Sequence, residues 1–147
     1  MFNAIIIDLD GTLVDSLDLS SFTINGDVNL REWIKSTKYS PVNEWCREIV
    51  NAFMLSGYHV VFLTARNDSK ESKEITESWL NTNILPGWSL IMRPENDLRP
   101  DYAVKMDLYR NKIEPFYNVI FAIDDKPEVI EMWKSIGVTA LSCADIK

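Results

Sequence analysis

The chain has few cysteines and they stand far apart. Cys46 and Cys143 form no Cys-x-x-Cys pair and belong to no Cys/His cluster. That spacing argues against a zinc module and reads as two buried thiols of a reduced, intracellular protein. Long apolar runs are missing as well. A bilayer span takes ~20 consecutive apolar residues, whereas Ala4-Ile5-Ile6-Ile7 is stopped at once by Asp8. Neither a membrane segment nor a signal peptide is expected, and the expected location is cytoplasmic. Positive charge is scarce: 15 Lys+Arg against 22 Asp+Glu give −7 at pH 7. This balance argues against sequence-independent nucleic-acid binding through a broad basic surface, but not against a grip on one terminal phosphate. Repeats and low-complexity tracts are absent. So is Gly-x-x-x-x-Gly-Lys-[Ser/Thr], which excludes a P-loop kinase from these residues.

What is present is a globular composition. With 46% hydrophobic and 25% charged residues over 147 positions, the expectation is a single domain, 1–147, with a real core. Residues Asn3 to Leu9 read as a fully buried strand, ended by Asp10-Gly11. Residues 15–40 are polar and poorly periodic, with a turn at Asn25-Gly26, and fit a small flap or minimal cap insert. A helix is predicted from about Pro41 to Ser56, capped by Ser40, with Trp45, Ile49, Phe53 and Met54 as its apolar stripe. Tyr58 to Leu63 is a second strand. Asp68 and Glu71 resemble a capping box for a helix to about Leu80, with Ile75 and Trp79 inward. Trp88 to Met92 is a third strand. The next helix runs from Pro100 to Ile113 with Tyr102, Met106, Tyr109 and Ile113 on its core face. Val119 to Ile123, a helix from Pro127 to Ile136, and Val138 to Leu141 complete the series. Alternating strands and helices predict a three-layer αβα, Rossmann-like fold with a mostly parallel five-stranded sheet and no large cap.

In such sheets ligands sit beyond the carboxyl ends of the strands. Those ends carry Asp8-Leu9-Asp10-Gly11-Thr12, Thr64-Ala65-Arg66, a charged stretch leading to Lys105, and Asp124-Asp125. Four carboxylates gathered there with one or two cations call for a divalent metal, and hard oxygen donors suit magnesium. Asp8 is the candidate nucleophile toward phosphorus and Asp10 the candidate general acid and base. Asp8, Asp10, Asp124 and Asp125 form the expected metal set. Thr64, Ala65 and Lys105 are the expected phosphate binders.

Asp-Leu-Asp-Gly-Thr, Thr64 of Phe-Leu-Thr-Ala-Arg, Lys105 and Ile-Asp-Asp, in that order, resemble the four motifs of the haloacid dehalogenase (HAD) superfamily. The resemblance spans residues 4–137 and implies a magnesium-dependent phosphatase in which the Asp10 backbone carbonyl completes the metal site. Further segments are similar to the 3′-phosphatase domain of phage polynucleotide kinase. They are Ser56 to Leu63, Val104-Lys105-Met106-Asp107, Ala122 to Lys126 and Val129 to Val138. This implies a DNA or RNA 3′ end as substrate, a kinase or ligase acting as a separate partner, and a host cytoplasm if the gene is a phage's.

Blander readings stand beside these. Thr64 could satisfy a turn, Lys105 could be a solvated surface lysine, and one aspartate of Asp124-Asp125 could simply favour a helix N-terminus. Arg66, Arg93 and Arg99 are candidate substrate grips, although surface arginines often have no specific role. His59 reads as structural; Trp45, Trp79 and Trp133 as core; Trp33 is left open. Without a substantial lid the site suits a polymeric phosphoester. The alternatives are a phosphatase of free nucleotides or small metabolites, and a non-catalytic phosphate-binding module.

Overall fold

The structure, a computed structural model, describes residues 1–146. Strand β1 (Phe2–Ile7) is followed by an insert. The insert holds a short hairpin, β2 (Thr23–Ile24) and β3 (Asp27–Val28), and helix α1 (Leu30–Ser36). Then come α2 (Glu44–Leu55), β4 (His59–Asn67), α3 (Lys70–Asn83) and β5 (Ser89–Arg93). The chain ends with α4 (Asp101–Lys112), β6 (Tyr117–Asp124), α5 (Pro127–Ser135) and β7 (Ala140–Ser142).

The five long-sheet strands lie in the order β5-β4-β1-β6-β7, and each neighbouring pair is parallel. From β1 the chain first builds outward through β4 and β5, then returns to the other side of β1 with β6. The direction of winding therefore reverses at β1, and the carboxyl ends of β1, β4 and β6 open the crevice where such sheets bind ligands.

Both faces of the sheet are covered, which explains why the buried part of β1, Ala4 to Ile7, is wholly apolar. Its side chains alternate: Ile5 and Ile7 join Val60, Phe62, Cys46, Val50, Trp79 and Leu80 on the α2–α3 side. Ile6 joins Val61, Leu63, Val104, Leu108, Val129 and Trp133 on the α4–α5 side.

Element boundaries differ from the sequence expectation in informative places. Helix α2 begins at Glu44 rather than Pro41, because residues 41–43 are used in pairing with the turn after β1. Asp15 N–H donates to Pro41 O at 2.9 Å, Asn43 N–H donates to Leu13 O at 2.8 Å, and Val42 bridges Val14. The cap of α3 is Ser69, whose Oγ accepts from Ser72 N–H, while Asp68 N–H donates to Arg93 O and Glu71 pairs with Arg31. On α4, Tyr102 is 44% exposed; the inward face instead carries Val104, Lys105, Leu108 and Tyr109. Asp8 and Asp124 draw Lys105 into the site, and the inward face centres on Val104, Lys105 and Leu108 with Tyr102 at its edge.

The 15–40 segment contains more structure than its weak periodicity predicts. The helix α1 is capped by Asn29, whose side chain accepts from Glu32 N–H at 3.1 Å, and it buries Trp33 and Ile34. An Asn three residues before a Glu is the sequence signal that marks its start.

Candidate active site

The turn after β1 sets the nucleophile position. Asp8 N–H still donates to Ile123 O at 3.1 Å, so Asp8 is held as a continuation of the sheet. Gly11 then reverses the chain with φ +82°, and an added Cβ there would run into the Asp125 carboxylate. Glycine is required twice over, by the left-handed backbone and by the approach of a carboxylate.

Beyond the strand ends, Asp8 is buried and both its oxygens are engaged. Oδ1 accepts from Lys105 Nζ at 2.8 Å and Oδ2 from Thr12 Oγ1 at 3.0 Å. Lys105 Nζ also donates to Asp124 Oδ2 at 2.7 Å, and Asp124 Oδ1 accepts from Lys126 N–H at 3.0 Å. Asp8, Asp124 and Asp125 each offer an oxygen within 4.8 Å of the others. Burial pushes the Asp8 carboxyl well above the usual range; Lys105 opposes the shift and Asp124 adds to it. Burial likewise raises Asp125. Burial pulls Lys105 down, but Asp8 and Asp124 together outweigh it and hold the ammonium above its ordinary value.

Two carboxylates thus share one ammonium with a third beside them, and Asp125 Oδ1 is buried without a hydrogen-bond partner. An orphaned carboxylate oxygen facing two others is a fit for a divalent cation. Lys105 is neither surface-exposed nor solvated, so the structure sets aside that bland reading.

The Asp10 carboxylate lies outside this oxygen group and has its own clamp. Arg66 Nε donates to its Oδ2 at 2.8 Å and Arg66 Nη2 to its Oδ1 at 2.6 Å, while Ser16 Oγ also donates to Oδ1. The third arm of Arg66 reaches Thr76 Oγ1 at 3.0 Å, and its guanidinium sits 5.5 Å from the centre of the Trp33 ring. The register of β4 on β5 breaks between Thr64 and Asn67, and that irregularity aims Arg66 at Asp10. Arg66, expected to grip substrate, is spent on orienting Asp10. Trp33 packs on Arg66 and donates its Nε1–H to Leu17 O at 2.8 Å, so it is no free base-stacking surface.

Thr64 is buried beside the site, with Oγ1 accepting from Arg66 N–H at 3.1 Å. Ala65 O accepts from Arg93 Nε at 2.9 Å. Arg93 also holds the β5–α4 loop through Asp97 O, Arg99 O and the Asp101 carboxylate. Arg99 pairs with Asp97 and Asp107. These two arginines, expected as substrate grips, brace the loop through these contacts. His59, read as structural, bonds Ser89 and stacks on Tyr117.

A cavity of about 660 Å³ brings together every residue expected at the site except Asp124, which lies beneath it. Sequence reasoning missed Thr12 and Ser16, which orient the two catalytic candidates. It also missed Asp101, whose carboxylate joins Arg93 to Lys126. Asp101 lies four residues before Lys105 on α4, hence on the same helix face, and that spacing was the available signal.

This fold and site are those of a HAD-type phosphatase. A hydrolase from Streptococcus pneumoniae TIGR4 shares the fold, with TM-score 0.60 at 16% identity over 99% of this chain and 96% of that one. The chain matches the family model for the polynucleotide kinase PNKP phosphatase domain over residues 2–146 and belongs to that family. It is 29% identical over 140 residues to a protein of Autographa californica nuclear polyhedrosis virus named for two activities, polynucleotide kinase and RNA ligase. That alignment covers 92% of this chain and 18% of the viral protein. A chain in the structure of the Pnkp1/Rnl/Hen1 RNA repair complex superposes with TM-score 0.77 at 27% identity, over 95% of this chain and 42% of that one. This chain therefore corresponds to a minor part of both longer relatives. Phosphatases of the HAD type generally use a divalent metal, and the Asp8–Asp124–Asp125 group could hold one here. Among the described residues no helix is long and apolar enough to cross a membrane.

Proposed function

We propose that the chain is a magnesium-dependent polynucleotide 3′-phosphatase acting in the repair of nucleic-acid ends. The observation that carries the reading is the family match across residues 2–146, whose members are phosphatase domains of polynucleotide kinases. The geometry supports the chemistry. An Asp8 oxygen attacks phosphorus, the bond to the leaving 3′ oxygen breaks, and Asp10 supplies the proton that oxygen needs. Water then attacks the aspartyl-phosphate, with Asp10 taking its proton, and the Asp8–phosphorus bond is cleaved. Thr64, the Ala65 backbone and Lys105 hold the phosphoryl oxygens as charge builds on them. Arg66 and Ser16 fix the direction in which Asp10 moves its proton. Asp8, Asp124, Asp125 and the Asp10 carbonyl would hold magnesium, which supplies charge to offset the repulsion between Asp8 and an incoming phosphate.

A kinase and a ligase acting alongside this activity fit the same reading, since the viral relative is named for both. The test is phosphate release, with magnesium and with chelator, from a 3′-phosphorylated oligonucleotide, a 5′-phosphorylated one, free nucleotides and an aryl phosphate. Preferred release from the 3′ end is the expected result. Preference for free nucleotides refutes the substrate assignment, and release from none refutes the enzyme.

A further inference from the structure

The cavity that contains Asp8 and Asp10 has a second half that the chemistry does not use. Leu17, Leu19 and Leu30 of the insert, and Leu98 of the β5–α4 loop, line the same space. They are unusually bare: Leu98 is 94% exposed, Leu17 59% and Leu30 55%. Single exposed leucines need no explanation, but several on the rim of one catalytic cavity, from two separate elements, form a patch.

The charges around them are not arranged to attract a polyanion. The lining carries seven carboxylates (Asp8, Asp10, Asp18, Glu95, Asp97, Asp101, Asp125) against five cations (Arg66, Arg93, Arg99, Lys105, Lys126). Each of those cations is already paired with a carboxylate: Arg66 with Asp10, Arg93 and Lys126 with Asp101, Arg99 with Asp97 and Asp107, Lys105 with Asp8 and Asp124. A phosphodiester backbone running out of the site finds no unpaired cation in this lining. The volume of about 660 Å³, catalytic half included, falls in the ~300–1,000 Å³ range of pockets that bury one drug-sized ligand, the scale of a single nucleotide.

We infer that the leucine rim is a subsite for the base of the terminal nucleotide, so that the enzyme holds its substrate by one phosphate and one base face rather than by the polyanionic strand. The inference rests on the proposed 3′-phosphatase activity. An apolar face accepts any base, because every base presents an apolar π surface. The site is thereby indifferent to sequence without calling on a basic groove, which the charges of this lining do not form.

The test is a cycle of two proteins and two substrates in the presence of magnesium. The proteins are the intact chain and Leu98→Ser, a substitution at an exposed position that leaves the core untouched. The substrates are a 3′-phosphorylated oligonucleotide and the same strand ending in a tetrahydrofuran abasic residue. Removing the base, or removing Leu98, is expected to lower kcat/KM about tenfold, and doing both to cost little more than either alone. In the same assay KM for the intact strand changes about threefold or less between 50 and 200 mM salt, the response of a single phosphate. Additive losses overturn the base subsite while leaving the 3′-phosphatase reading standing. A salt response of tens of fold also overturns it, because several backbone phosphates would then be bound. Release from neither strand, with an aryl phosphate still cleaved, overturns the functional reading and this inference together.

Discussion

The floor and the rim of the cavity are both ionic, and they are built on opposite terms. At the floor Asp8 and Asp124 share Lys105 with Asp125 close beside them, all of it nearly out of contact with water except Asp125. At the rim Arg93, Arg99 and Lys126 meet Asp97, Asp101 and Asp107, three cations against three anions, with much of the network solvated. The rim is complete as it stands. The floor has an excess of buried negative charge that folding alone gives no reason to assemble. The difference separates a cluster built for chemistry from one built to hold a loop, although both look alike as runs of charged residues.

The sharpest break in that comparison is Asp8→Asn. Loss of the nucleophile is expected to lower phosphate release by about 10³-fold or more, while the fold survives, since an amide still accepts from Lys105. Burst and steady-state phosphate assays with a thermal melt check both halves. Activity within tenfold of the intact protein would rule out the covalent route.

Next in size is Lys105→Met, which leaves three floor carboxylates with no cation. Stability in chelator is expected to fall by about 3–5 kcal/mol, because a buried partner is removed from charges that stay buried. Magnesium should recover part of it. In the intact chain magnesium at ~100 times its Kd raises stability by about 2.7 kcal/mol, and Asp125→Asn shrinks that gain. Urea titrations with and without magnesium measure all three. A Lys105→Met protein as stable as the parent in chelator would mean that the floor carboxylates are not charged together.

Which parts of this were legible beforehand follows the same division. The floor was readable because strand ends in a parallel sheet converge by topology, so Asp8, Thr64 and Asp124 could be placed together from order alone. Lys105 was readable as a site residue, yet the α4 face was read one step off and put Tyr102 inside. A buried polar residue overrode the apolar pattern there. The three arginines could not be resolved from sequence. Whether Arg66, Arg93 or Arg99 faces substrate or a neighbouring carboxylate depends on tertiary partners, such as Asp10 and Asp101, that spacing does not reveal. The insert escaped for a different reason: seven helical residues are too few for a periodic signal, and its helix is stabilised by packing Trp33 on Arg66.

Arg99→Met tests the rim at the next level down. With Arg99 half exposed and its pair with Asp107 solvated, Tm is expected to move by less than about 2 °C, and magnesium should neither rescue nor worsen it. A larger loss would show that the rim supports the floor through Arg93.

The smallest effect is in acid. Arg99, chiefly through its side-chain hydrogen bond and then its backbone N–H, holds the Asp97 carboxyl down at about 2. A depressed carboxyl binds its proton less readily folded than unfolded, so its contribution is fully present above the ordinary value near 4 and fades as pH falls toward 2. Asp101 is held down in the same direction: burial opposes the shift, but Lys126 and Arg93 outweigh it. The β5–α4 loop should therefore keep its ion pairs through mildly acidic solution and loosen only below pH 4. Amide exchange at residues 94–100, followed from pH 5 to 2.5, is the measurement. Asp97→Asn should flatten the part of the profile that belongs to this carboxyl, and a loop already released at pH 5 would refute the pairing.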